Sequence, residues 1–331
     1  MDLDALAAAR RSEWERLDEL SRARRLRGGE VDELVSRYRS ASADLADIKT
    51  SAGRTSLGDY VSTILVRARL RLTGSGADAR SALPRFFLAQ LPAALYRLRW
   101  TTLAVALGFF LAGSLMAIWA IRDPQVLAAI GSKADLNYYA DHQFVDYYRE
   151  NPAAVFAGTV WTNNAWIAVQ CVLFGITGIW PLYVVMSNAM GVGTAAAVMI
   201  ATGHGDVFWQ FIVPHGMLEL TSVFVAAAAG LHVFWAWVAP GRRPRGEALA
   251  AAGRSLVTVA VGLVFSLALS GAVEGFVTPQ QWHWAVKIAL GAAALALFLT
   301  YMLVVGGRAA RAGETGDLAE SEAGTPRLVA G

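Results

Sequence analysis

Between Trp100 and Ile121 the chain carries no charged residue. Wound as an α-helix, such a stretch rises about 33 Å, enough to cross the hydrocarbon core of a bilayer. Four further regions share this character, at 153–202, 208–239, 255–277 and 283–305. The first of them is long enough for two spans. Gly175, Gly178 and Pro181 near its middle predict helices at about 154–174 and 179–201 joined by a very tight turn. The fold class expected is therefore all-α: a polytopic membrane helical bundle of about six spans with a cytosolic N-terminal helical bundle. Composition agrees, with 55% hydrophobic against 17% charged residues.

Charge is segregated along the chain. Of the 29 Lys and Arg residues, 18 lie in positions 1–99, interleaved there with 13 acidic residues. The pI near 9.1 is thus no sign of nucleic-acid binding. The remaining arginines flank the apolar runs. Arg97 and Arg99 precede the first, Arg242, Arg243, Arg245 and Arg254 lie between the fourth and fifth spans, and Arg308 and Arg311 follow the sixth. With six spans all three clusters share one side, the cytosolic one by the positive-inside rule, and both termini are expected there. Trp209, Trp282 and Trp284 then mark the outer interface, Trp235 and Trp237 the inner one. The first twenty residues contain acids and no apolar stretch of signal-peptide length, so no leader is expected. A lone cysteine, Cys171, excludes an intrachain disulfide framework.

Residues 1–76 read as a cytosolic bundle of three helices. Leu3, Leu6, Trp14, Leu17 and Leu20 form one apolar stripe, Val31, Leu34, Val35, Tyr38, Leu45 and Ile48 a second, and Val61, Ile64, Leu65, Ala68 and Leu72 a third. Arg67, Arg69 and Arg71 read as a solvated face or as a patch for acidic headgroups. After a flexible joint at Thr73–Gly76, residues 77–99 are expected to form a juxtamembrane amphipathic helix on the inner leaflet, and 100–306 the membrane domain. Within it, the segment 122–152 carries Leu136, Tyr139, Ala140, Phe144, Tyr147 and Tyr148 on one face, suited to the outer leaflet. Residues 307–331, rich in Gly, Ala, Glu and Thr, are expected to be a disordered cytosolic tail.

Ionisable residues inside spans are costly and mark candidate sites. His215 and Glu219 are four apart, hence on one face of the fourth span, and Glu274 lies at a similar depth in the fifth. Asn163, Asn164 and Asn188 fall at matching depth in the second and third spans, so these six residues are expected to form an intramembrane polar cluster in the outer half of the bundle. Pro214 and Gly216 flank the histidine and can loosen the helix there. The cluster admits several roles: a hydrogen-bonded network that fixes helix register, a path for protons or a substrate, lipid binding, or a metal-assisted hydrolase. One histidine and two carboxylates can ligate zinc, but no His-Glu-x-x-His pair accompanies them, and no metal or cofactor is assigned. His204 and Asp206 read as solvated loop residues, Lys287 as snorkelling to the outer headgroups, and Gly191 and Gly193 as packing positions.

Thr162-Asn-Asn164, Gly175-x-x-Gly178-x-x-Pro181 followed by Asn188 and Gly191, Pro214-His-Gly-x-x-Glu219, and Glu274-Gly-Phe-Val-Thr-Pro279 together resemble the stage II sporulation protein M family of bacterial integral membrane proteins. The resemblance runs from about Leu83 to Arg308. The alanine- and arginine-rich composition, with only three lysines, and the helical N-terminal part are similar to its actinobacterial branch. In the endospore-forming branch, which lacks so long an N-terminal domain, the resemblance implies a scaffold that gathers cell-wall hydrolases at the engulfing septum. The function expected is that of an integral scaffold or complex subunit of the cell envelope in the bacterial plasma membrane. The alternative is a small transporter, or transporter subunit, that uses the polar cluster. No phosphate loop, nucleophile triad or dinucleotide fingerprint is present, so the chain is not expected to be an enzyme. The partners expected are membrane lipids, other membrane or cell-envelope proteins and, through the Gly- and Ala-rich spans, a second copy; no nucleic acid is expected.

Overall fold

The computed structural model describes residues 3–23, 26–53, 55–72, 83–147 and 152–317. Thr73–Gly76, Tyr148 and residues 318–331 lie outside them. The described residues are helical, with no strand among them. They fall into two units, one ending at Leu83 and the other running from Pro84.

In the first unit, α1 (Leu3–Arg22), α2 (Gly28–Ala52) and α3 (Ser56–Leu72) bury the stripes read from the sequence. Trp14, Leu17 and Leu20 meet Leu34, Ala41 and Ile48, and Val61, Ile64, Leu65 and Ala68 close the core. The Trp14 indole N–H donates to Asp44 Oδ2 at 2.9 Å, so the half-polar ring is buried with its donor satisfied. Around this core arginines pair with carboxylates: Arg16 with Glu33 at 3.2 Å, Arg37 with Glu33 at 2.8 Å and with Glu13, and Arg67 with Asp18. Hydrogen bonds from Arg16 and then Arg37 hold the Glu33 carboxyl below its ordinary pKa. Arg67 therefore ties α3 to α1 instead of standing in a free basic patch.

The second unit holds five helices long and apolar enough to cross a membrane: Leu83–Arg122, Ile179–Ala201, Gly205–Val238, Arg245–Phe276 and Trp284–Arg311. Within them we label α4 (Leu91–Arg122), α8 (Ile179–Ala201), α9 (Gly205–Val238), α10 (Arg245–Phe276), α11 (Trp284–Thr300) and α12 (Gly306–Arg311). The helix expected at 154–174 is α7 (Ala153–Leu173), 21 residues long but less apolar, since Asn163, Asn164 and Gln170 fall within it. It runs along the same bundle all the same. Ala153 and Ala157 lie against Gly275 at one end, and the Cys171 carbonyl lies against Gly230 at the other. A 3-10 turn, Gly175–Thr177, joins α7 to α8. Gly178 follows it with φ +69° and its Cα pressed on the Phe234 ring, so both the backbone angle and the space exclude a side chain. The tight turn read from the sequence is where it was placed.

Three boundaries differ from expectation. The juxtamembrane stretch is not a separate surface helix. From Leu83 the chain is helical into α4, through a π turn at Phe86–Gln90, and Leu91, Leu95 and Leu98 continue the buried seam of the bundle. The segment 122–152 packs on the bundle itself through its described residues. It forms α5 (Pro124–Ile130), α6 (Lys133–Tyr138) and a short turn at Phe144–Asp146. Ala140 and Phe144 pack onto Phe156, Met199, Phe208 and Phe211, because the apolar face finds aromatic partners on the bundle's own end. The tail is ordered over its first part: α12 continues α11, Gly316 is pressed on Ala94, and Asp317 pairs with Arg254 at 3.3 Å.

Candidate functional site

Helix α9 presents two faces of different chemistry. Gly216, Met217, Leu220 and Phe224 look into a cleft, whereas His215, Glu219 and Ser222 turn toward α10. The α9–α10 seam is apolar at one end, where Val225 to Ala229 and Val259 to Leu267 share a core, and polar toward the other. Ser222 and Ser266 share a hydrogen bond at 2.9 Å, and Ser270 Oγ donates to the His215 carbonyl at 3.1 Å. Pro214 lies one residue before, where α11 comes so close that the Pro214 carbonyl occupies the place a Gly291 side chain would take.

The cluster itself forms. His215 Nε2 lies 3.7 Å from Glu274 Oε1, both side chains being 5% exposed. One ligating atom from each of His215, Glu219 and Glu274 falls within 4.8 Å of the other two. Asn164, buried on α7, approaches the Glu219 carboxyl and donates its own Nδ2 to the Val160 carbonyl at 3.1 Å. Glu219 Oε2 and Glu274 Oε2 are buried without a hydrogen-bond partner among the described residues.

Two of the expected members stand apart. Asn163 is exposed, because adjacent helix positions point about 100° apart and Asn164 takes the inward one. Asn188 donates to the Val184 carbonyl of its own helix at 2.8 Å, with no hydrogen bond to the cluster among the described residues. The reading of Lys287 is corrected. The residue is buried within the protein, donates to the Thr278 carbonyl at 2.7 Å and lies 5.5 Å from the Phe211 ring. Thr278 Oγ1 in turn contacts His215 Nδ1 at 3.4 Å. Lys287, Thr278 and Ser270 were missed as parts of the site. The one sequence signal was that Lys287 is the sole lysine inside a span. Partial burial, and then the Glu274 and Glu219 charges, push the Tyr147 phenol above its ordinary pKa, which sets Tyr147 beside the same cluster. His204 pairs with Asp141 at 3.1 Å, pinning the 122–152 segment to the α8–α9 loop.

On the opposite face of α9, a cleft of about 750 Å³ lies between α4, α8, α9 and α11. Its lining runs from Arg99 to Ile121 along α4 and is apolar almost throughout, with Phe109, Phe110 and Phe224 at its centre.

The profile of a domain of unknown function (DUF8413) matches residues 4–74, the first unit. No curated protein and no solved structure matches the chain. The profile of stage II sporulation protein M matches residues 106–279, which take in the α7–α8 turn, Pro214-His-Gly-x-x-Glu219 and Glu274. It covers more than half of the sequence, and the chain belongs to the stage II sporulation protein M family.

Proposed function

We propose that this membrane protein is a non-enzymatic scaffold or complex subunit that organises cell-envelope remodelling machinery in the bacterial plasma membrane. The observation that carries the reading is the apolar cleft. From Arg99 to Ile121 it follows α4 for about 33 Å, the thickness of a bilayer core. A partner's spanning helix matches that length, whereas one acyl chain reaches only one leaflet. A photoreactive amino acid at Leu103 or Phe110 is expected to give adducts with another protein in cells, and none at Val257 or Leu269, which are exposed on α10 away from the cleft. Lipid adducts alone, from both faces, would reject the scaffold. They would favour the second reading, a small transporter or transporter subunit, which the convergence of His215, Glu219 and Glu274 supports.

The proposed topology is six spans with both termini cytosolic. Supporting α7 as the sixth span, its two ends touch α10 and α9 at opposite ends of the bundle. The arginine clusters set the sidedness. Cysteines placed at 244 and 280 test it: an impermeant reagent added outside is expected to label 280 and to spare 244, and the reverse pattern would overturn the orientation.

A further inference from the structure

We propose that His215, Glu219 and Glu274 hold a divalent metal ion of the zinc class between α9 and α10. The argument begins at Thr278. Its hydroxyl has one hydrogen, and Oγ1 donates it to the Val273 carbonyl at 3.4 Å. The same oxygen lies 3.4 Å from His215 Nδ1, and in the tautomer that carries the proton on Nδ1 the ligating atom is Nε2. His215 Nε2 stands 3.7 Å from Glu274 Oε1, beyond ordinary hydrogen-bonding distance. The Glu219 carboxyl closes the group, all three ligating atoms lying within 4.8 Å of one another. The orphaned oxygens, Oε2 of Glu219 and Oε2 of Glu274, add two more buried acceptors. Glu274 as a whole is 3% exposed.

Acceptors that converge in a buried place call for a cation. A divalent ion cancels the two carboxylate charges and occupies the imidazole lone pair at once. One nitrogen and two oxygens suit zinc, whose catalytic sites take three protein ligands and leave a fourth position open; magnesium and calcium favour oxygen-only shells of six or more. Bonds of about 2.0–2.1 Å in a tetrahedron set ligand atoms about 3.3 Å apart. The His215–Glu274 separation is already near that, and a small rotation of Glu219 supplies the rest. Thr278 is then the outer partner that fixes the imidazole, and Lys287, bonded to the Thr278 carbonyl, is a positioning residue for it. The ion would also link α9 to α10 one residue after Pro214, inside α9.

The test uses the full chain in mild detergent, stripped with a chelator and then given zinc chloride in excess magnesium. Metal content after desalting is expected to be about one zinc per chain, with a raised thermal midpoint. Glu219→Gln and Glu274→Gln, each near-isosteric, are expected to bind zinc more weakly by on the order of tenfold or more while eluting as the parent does. His204→Gln, at the separate pair with Asp141, is expected to retain full binding. X-ray absorption of the zinc-loaded parent, which needs no variant to fold, is expected to show nitrogen and oxygen neighbours including imidazole. No zinc retained by the parent, equal retention in both glutamine variants, loss with His204→Gln, or a sulfur neighbour would each overturn the site. The first of these would mean that the two carboxyls share a proton instead.

Discussion

Gly193→Leu is expected to abolish the folded membrane domain, whereas Gly191→Leu, two residues away on α8, is expected to leave it intact. A Cβ at Gly193 would sit 2.4 Å from the Gly113 carbonyl oxygen and 3.1 Å from its carbonyl carbon and Cα, so α8 and α4 cross backbone against backbone. Small residues at such crossings are what membrane helices use in place of a hydrophobic drive, since lipid tails are as apolar as leucine. A backbone atom cannot rotate aside as a side-chain end can, so the cost falls at or beyond the upper end of the about 1–3 kcal/mol typical of overpacking. Gly191 is exposed with nothing within 4 Å of its would-be Cβ, and a leucine there simply meets lipid. Size-exclusion profiles and thermal midpoints in mild detergent read both variants. A Gly193→Leu protein that elutes and melts like its parent would show that the α4–α8 crossing is not this tight. The sequence reading of both glycines as packing positions holds for Gly193 and fails for Gly191, which lies on the exposed face.

The second large effect belongs to the N-terminal unit. Trp14 is 1% exposed and stands among Leu17, Leu34 and Ile48. Trp14→Ala empties that space at a cost of about 3–5 kcal/mol and leaves the 6%-exposed Asp44 without its indole donor. A bundle of three short helices has little stability to lose, since small domains bury a smaller share of their surface. Limited proteolysis of the full chain is expected to cut this arm in Trp14→Ala under conditions where the parent resists. Trp14→Phe keeps most of the ring and loses only the N–H, so it should fall between the two, at about 1–2 kcal/mol. Equal protease resistance in the alanine variant would refute the assignment of Trp14 as the core's anchor.

How much of this could be read from residues alone differs between the two units. In the first, water covers one face of each helix and protein the other, so apolar stripes report burial directly. Trp14, Leu17, Leu20, Leu34, Ile48, Val61 and Ile64 were all legible and all are buried. In the membrane domain the helices and the Gly175–Gly178 turn were equally legible, since length, glycine and proline act locally through backbone geometry. So was the shared face of His215 and Glu219, which a separation of four residues imposes on any helix.

The rotation of each helix against its neighbours was not legible, and tertiary structure alone decided it. Lipid and protein interior are both apolar, so a spanning helix carries almost no amphipathic signal to say which side is which. For that reason the sequence put both Asn163 and Asn164 in the cluster, and Asn188 with them. It also sent Lys287 to the headgroups, although the fold offers it the Thr278 carbonyl at 2.7 Å. The same blindness detached residues 83–99 from the first span and left 307–317 as tail, since their partners, Phe265 beside Phe87 and Ala94 beside Gly316, are remote in sequence. By itself the sequence determined the helices, the turn between α7 and α8 and the i, i+4 pair of His215 and Glu219. Only packing between α9 and α10 brought Glu274 to His215, because that contact spans residues no local periodicity connects.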